Sequence, residues 1–251
     1  MRHLLSSALT PCLTLCLALL FAFQLQAQTL SYDNNNDGCV NLDDLLNVLS
    51  EFGLCSAFEC GVQVPHDGYY YSTVQIGDQC WFSENCRYLP EVSPSSEESE
   101  TEFYYYVYDY QGTDVEAAKE TLNYLTYGVL YNWPAVMTED ICPSGWHIPS
   151  DEEFTELTDF LGGENVAGGK MKSHVAWEND GNGSNSSVWT GLPGGYRYSG
   201  GFSDLGSYGY WWSASESGSY SWGRGLYYFY DGVDRYDYGR DFGFSARCVR
   251  D

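Results

Sequence analysis

Twelve consecutive residues, Asp33-Asn-Asn-Asn-Asp-Gly-Cys-Val-Asn-Leu-Asp-Asp44, place oxygen-bearing side chains at positions 1, 3, 5, 9 and 12 of a short loop: Asp33, Asn35, Asp37, Asn41 and Asp44. Cys39 at position 7 offers its backbone carbonyl, and Gly38 at position 6 permits the sharp turn. A hard cation such as Ca2+ takes six to eight oxygens at roughly 2.3–2.6 Å, and this spacing wraps a short chain around one ion. An Asp/Asn-rich surface turn is the alternative reading. A single loop with Asp in place of Glu at position 12 belongs to the weak, extracellular affinity range, on the order of 10⁻⁴–10⁻³ M.

Chemistry of other kinds finds little footing. No Gly-x-Ser-x-Gly is present. His66, His147 and His174 are the only histidines beyond the leader, and His147, between Trp146 and Ile148, reads as a packed, hydrogen-bonded imidazole rather than a base. Glycosidase chemistry needs two carboxylates across a cleft, but with 35 acidic residues some pair will always look suitable. Trp177-Glu-Asn-Asp180 reads as a polar loop closing at Gly181. No catalytic residue is predicted, and the chain is read as a non-enzyme. Binding has a better candidate between Tyr196 and Tyr238. There Tyr196, Arg197, Trp211, Trp212, Trp222 and Arg224, with Asp231 and Arg235 nearby, could stack on and hydrogen-bond a glycan or a peptide.

The elements that must position these residues follow from periodicity. Leu42, Leu45, Leu46, Leu49 and Phe52 recur at helical spacing and Gly53 ends the run, so residues 28–54 form a calcium loop and helix, with 55–65 as a connector. Tyr69–Ile76 and Gln79–Phe82 read as a strand and its return about Gly77-Asp78. Residues 91–102 form a Ser- and Glu-rich solvated loop, 103–110 have strand composition, and 114–124 suit a short helix. Ser150 caps a helix to Leu161, Glu153 completes a capping box, and Phe154, Leu157, Phe160 and Leu161 make its apolar stripe. Short strands are expected near 211–214, 226–230 and 242–249, with Phe242, Phe244, Ala246 and Cys248 forming one buried face of the last. One clear helix and many short strands indicate an α+β domain over 66–251.

Residues 1–27 carry a secretory leader: Arg2 and His3, an apolar run from Leu13 to Phe23, then Leu25-Gln-Ala27 before the cleavage point. The run is too short and wrongly flanked for a membrane span. The formal net charge is −24, and losing Arg2 with the leader takes it one lower. A chain this acidic repels nucleic acid and anionic membranes and suits divalent cations and neutral or cationic partners. Seven cysteines remain, at 39, 55, 60, 80, 86, 142 and 248. In an exported chain these belong mostly in disulfides. Cys142 and Cys248 read as one staple. Cys80 can pair with Cys60 or Cys86, and Cys39 and Cys55 flank a helix of roughly 16 Å, which makes their direct pairing awkward.

Two resemblances follow from the residues quoted. Asp33, Asn35, Asp37, Gly38, Val40, Asn41 and Asp44 match one calcium-binding repeat of a type I dockerin. Dockerins normally carry two repeats and dock cohesins; this chain has one, on its N-terminal side. The ordered blocks Val74–Asn85, Tyr131–Ala135, Cys142–Ser150, Leu192–Arg197, Trp211–Ser213 and Gly243–Cys248 resemble the Fibrobacter succinogenes major paralogous domain, a bacterial exported module. Cys86 stands where that pattern has Leu. The resemblance implies a C-type lectin-like fold, related also to formylglycine-generating enzymes, and implies no activity. Formylglycine-type oxidation needs a copper-binding cysteine pair, whereas Cys142 and Cys248 are assigned to the staple. The expectation is therefore a secreted or cell-surface adhesion or carbohydrate-recognition protein with a structural Ca2+. Its partner is a polysaccharide or surface glycan. The rival is a protein scaffold docking a cohesin-like partner, and an unrecognised enzyme is a further alternative.

Overall fold

The computed structural model describes residues 58–251 apart from Glu139. The leader, the predicted calcium ligands Asp33, Asn35, Asp37, Cys39, Asn41 and Asp44, the helix after them and Cys55 lie outside the described residues. The chain divides into two compact units, Met1–Glu59 and Cys60–Asp251. The second mixes helices and sheets, an α+β composition. It opens inside the segment read as a connector, because β1 (Val64–His66) pairs with β2 (Tyr69–Tyr71). Their turn is Asp67-Gly68, with φ of 44° and 74°, a left-handed pair that matches the twist of the flanking strands.

The expected strand from Tyr69 to Ile76 breaks at Ser72, and β3 (Thr73–Ile76) turns at Gly77-Asp78 into β4 (Gln79–Phe82). Cys60 bonds to Cys80, fastening the start of the unit to β4. The strand composition of 103–110 yields only β5 (Tyr105–Tyr106), paired with β6 (Leu130–Tyr131). Between them lie two short helices rather than one. Asp114 caps α1 (Val115–Lys119) and Thr121 caps α2 (Leu122–Tyr127). After α3 (Trp133–Val136) and β7 (Trp146–His147), α4 (Asp151–Phe160) begins with the expected capping box of Ser150 and Glu153. Such a cap is worth ~1 kcal/mol. Phe154 and Leu157 are fully buried, whereas Phe160 stays mostly exposed with its ring against Gly77.

The rest of the chain, after α5 (Ala167–Met171), makes β8 (Gly194–Tyr198), β9 (Gly201–Leu205), β10 (Tyr208–Ser217), β11 (Tyr220–Tyr227) and β12 (Tyr230–Tyr238). They form a mixed five-stranded sheet ordered β12-β11-β10-β8-β9, with β10 and β8 parallel. The expected strand at 226–230 is instead a hairpin: Tyr227 pairs with Tyr230 across a Tyr228-Phe229 tip. The expected strand at 242–249 is also corrected. Only its end, β13 (Val249–Arg250), is a strand, inserted between β4 and β7. Residues 243–245 thread the interior with single bridges to Tyr131, Arg197 and Trp211. Both alternating sets are therefore buried: Phe244, Ala246 and Cys248 on one side, Ser245, Arg247 and Val249 on the other.

The core gathers Trp81, Phe154, Leu157, Trp189, Trp211, Leu226 and Val249. Trp189 meets Trp211 edge-on at 4.9 Å and Trp81 at 6.4 Å, geometry that adds ~0.5–1.5 kcal/mol per pair beyond the area buried. The Cys142–Cys248 disulfide is present, and Cys86 is a buried free thiol. No helix among the described residues is long and apolar enough to cross a membrane.

Candidate functional site

Side chains of a strand alternate between faces, and on β10 both sets are aromatic. Trp211 points into the core, its indole Nε1 donating to Asn85 Oδ1 at 2.8 Å. Tyr208, Tyr210 and Trp212 take the opposite face. The register sets them against Tyr227, Gly225 and Gly223 of β11, and those against Tyr230, Asp234 and Tyr236 of β12. The two glycines leave the middle strand low. A Cβ on Gly225 would stand 2.8 Å from the Tyr227 hydroxyl, so this ring lies across bare backbone and donates to Asp234 Oδ2 at 2.7 Å.

Tyr210 is the centre of the face. Its ring stacks on Phe244 at 4.9 Å and meets Tyr196 at 5.4 Å, Tyr238 at 5.7 Å and Tyr227 at 5.9 Å. At the rim Tyr198, 47% exposed, stacks on Phe242 at 4.0 Å, and Tyr236 is 60% exposed. The floor thus passes from buried Trp212 and Phe244, through half-buried Tyr196, Tyr208, Tyr210, Tyr227 and Tyr238, to open rings. Burial pushes the Tyr210, Tyr227 and Tyr238 phenols well above their ordinary value, and the Asp234 carboxylate pushes Tyr227 further. Burial, then Asp204, raises the Tyr196 phenol. The face presents protonated hydroxyls and carboxylates, a combination that hydrogen-bonds neutral hydroxyl groups while the rings offer stacking planes.

The cations expected at this site are elsewhere. Arg197 is 0% exposed and spans the interior, its Nε and Nη2 donating to Ser95 O and its Nη1 to Asp241 O. Arg224 is equally internal, with Nη1 on Asp151 Oδ1 at 2.8 Å and Nη2 on Asp151 O at 2.9 Å. Trp222 lies on the opposite face under the Arg235 guanidinium, 3.6 Å from its ring centre, and Arg235 also holds Asp151. Trp212 is on the right face but covered by Phe244, with its Nε1 donating to Tyr131 O. Of the six predicted ligand residues, Arg197, Trp211, Trp212 and Arg224 are thereby withdrawn from any surface, Trp222 is separated from the rest, and Tyr196 remains. Tyr208, Tyr210, Tyr227 and Tyr238 fall inside the 196–238 stretch but were not singled out, and neither was Asp234. The alternation Tyr208-x-Tyr210-x-Trp212 and Tyr236-x-Tyr238 carried the signal.

Two further constellations complete the chemistry. His147 is clasped at both nitrogens, Nδ1 by Asp251 Oδ1 at 2.5 Å and Nε2 by Glu153 Oε1 at 2.8 Å. The Glu153 hydrogen bond raises the imidazole above its ordinary value against the opposing effect of burial, and Asp251 adds to the rise. Both ring nitrogens are thus engaged by carboxylates. His147 borders a cavity of about 350 Å³ lined also by Val136, Met137, Thr138, Cys142, Trp146, Ile148 and Ala214. Trp177 is buried, and Glu178 accepts from Ser207 in a polar loop turned at Gly181. Among the described residues no three His, Cys, Asp or Glu side chains converge to hold a metal ion.

With this geometry in view, the chain belongs to the Fibrobacter succinogenes major domain family, whose model matches residues 74–250. No curated protein and no solved structure matches it.

Proposed function

We propose that this Fibrobacter succinogenes major domain protein is a secreted, non-catalytic recognition protein whose tyrosine-lined sheet face binds a neutral polysaccharide. The observation that carries the reading is the half-buried Tyr196–Tyr208–Tyr210–Tyr227–Tyr238 floor, which runs out to the open rings of Tyr198 and Tyr236 and is bordered by Asp204 and Asp234. Sugar rings stack their C–H faces on such planes, and protonated phenols and carboxylates take up their hydroxyls. Among the described residues Arg197, Arg224 and Arg235 are engaged away from this face, which disfavours anionic glycans. In the same reading the fold is related to C-type lectins, and the site needs no calcium. The dockerin-like loop of Asp33 to Asp44 holds a structural Ca2+ and tethers the protein to a surface partner of cohesin type.

Affinity electrophoresis of the mature chain on neutral and acidic polysaccharides, with calcium and with chelator, tests this. Retardation by a neutral glycan class, unchanged by chelator, is expected. Retardation only by acidic glycans, or only with calcium, overturns the assignment of the site. A second reading, a protein-binding scaffold, is favoured by Phe229, 65% exposed at the β11–β12 tip beside Tyr230. It predicts no retardation by any glycan.

A further inference from the structure

We propose that Cys86, Cys248 and Cys142 form an internal thiol–disulfide relay that moves the buried thiol to the wall of the cavity beside His147. The starting point is a contact. Cys86 Sγ lies 3.5 Å from Cys248 Sγ, and Cys248 is bonded to Cys142. Cys86 and Cys248 are fully buried, while Cys142 is 8% exposed and lines the cavity of about 350 Å³.

Backbone bonds fix the attacking residue beside its target. Cys86 N donates to Ala246 O at 2.9 Å, its carbonyl accepts from Val129 N at 3.2 Å, and Phe82 N donates to Cys248 O at 3.0 Å. A disulfide needs about 2.0 Å between sulfurs, so the thiol has roughly 1.5 Å to travel.

The step is an exchange that conserves both bonds and electrons. The Cys86 thiolate attacks Cys248 Sγ and a Cys86–Cys248 bond forms. The Cys248–Cys142 bond breaks, its electron pair leaving on Cys142, which takes up the proton that Cys86 gave away. One thiol and one disulfide exist before and after, so no oxidant or reductant is required. Arg247, next to Cys248, is fully buried, and its Nε has no hydrogen-bond partner. Burial holds the Cys86 thiol up at about 12; the Arg247 charge acts in the opposite direction, but burial lowers Arg247 itself to about 9. The thiolate is therefore scarce, which sets the exchange on the scale of minutes to hours.

Native full-length protein is incubated with N-ethylmaleimide, sampled over a day, acid-quenched, and mapped peptide by peptide without reduction, with Cys39 and Cys55 followed separately. The expected product carries label on Cys142 together with a Cys86–Cys248 disulfide, growing at a rate independent of protein concentration and absent from Cys86→Ala. Cys86→Ser serves if the alanine variant is not obtained folded. Label absent from Cys142 in the wild type, equal label on Cys142 in the Cys86 variant, or a rate proportional to protein concentration overturns the relay.

Discussion

Tyr227 donates its phenolic hydrogen to Asp234 across the bare backbone of Gly225, at 2.7 Å. This bond adds a side-chain tie between β11 and β12 on the aromatic face and points the Tyr227 ring along the sheet rather than into solvent. A hydrogen bond to a charged acceptor contributes about 1.5–3 kcal/mol. Tyr227→Phe should therefore lower the urea midpoint by an amount in that range after conversion through the m-value, and Gly225→Ala should be worse because its methyl displaces the ring. A Tyr227→Phe variant as stable as wild type would show that this bond does not hold the face.

The rim and the floor of that face should respond differently. Tyr198→Ala and Tyr236→Ala remove exposed rings, so the fold stays and affinity for a neutral glycan falls about tenfold, ~1.4 kcal/mol. Trp211→Ala empties the core and should cost ~3–5 kcal/mol of stability. Retardation by the glycan and circular dichroism on the three variants separate the two effects. Unchanged binding in both rim variants would remove the tyrosine face from recognition.

Asp151 should be the most expensive charge to neutralise. It holds buried Arg224 at 2.8 Å and half-exposed Arg235 at 2.7 Å. Burial works to raise its carboxyl, but the hydrogen bonds and charges of the two arginines prevail and keep it below the usual carboxylate range. Asp151→Asn strands the Arg224 guanidinium in the interior and should cost ~3–5 kcal/mol, whereas Arg235→Gln should cost 1 kcal/mol or about that. Denaturant melts that rank the two the other way would contradict this division.

The His147 clasp predicts a definite pH window. The imidazole is raised in the folded protein, so its contribution is complete below the unfolded histidine value near 6.5 and fades as pH climbs through the raised folded one. Glu153 is pulled up by burial, but the bonds from His147 and Ser150 outweigh this and lower it. Its contribution is present above about 4.5 and lost on acidification. The clasp is therefore strongest between about pH 4.5 and 6.5. Urea midpoints should fall from pH 6 to 8.5 in the wild type and change less in His147→Gln. Equal slopes in the two proteins would mean that the clasp does not contribute.

The calcium loop supplies a last prediction. Calorimetry on the mature chain should give one Ca2+ site in the 10⁻⁴–10⁻³ M range, lost in Asp33→Ala. That variant should leave the melting transition of the Cys60–Asp251 unit in place, since the chain divides at Glu59. Nanomolar binding, or none, would reject the loop as read.

Features governed by neighbours in the chain were legible from residue order alone. Ser150 and Glu153 close the α4 cap within three residues of each other, and Phe154 and Leu157 face the core as their spacing requires. The ordered blocks that carry the family were likewise readable, as was the Cys142–Cys248 staple. The turn at Tyr228-Phe229 was not, because a two-residue loop without Gly, Asn or Asp carries none of the usual turn chemistry.

What only the tertiary structure decided is which of two aromatic faces would be covered. Alternation along β10 says that Trp211 and Tyr210 point apart, but burial depends on the helices and the 243–245 segment that reach the sheet from distant parts of the chain. The same holds for the basic residues. Arg197 and Arg224 look like ligand-binding groups until Ser95, 102 residues away, and Asp151, 73 residues away, absorb them. Cys86 and Cys248, 162 residues apart, touch for the same reason. Local hydrogen bonds and periodicity are properties of a segment, whereas burial and the partners of a buried charge or thiol are properties of the packed whole.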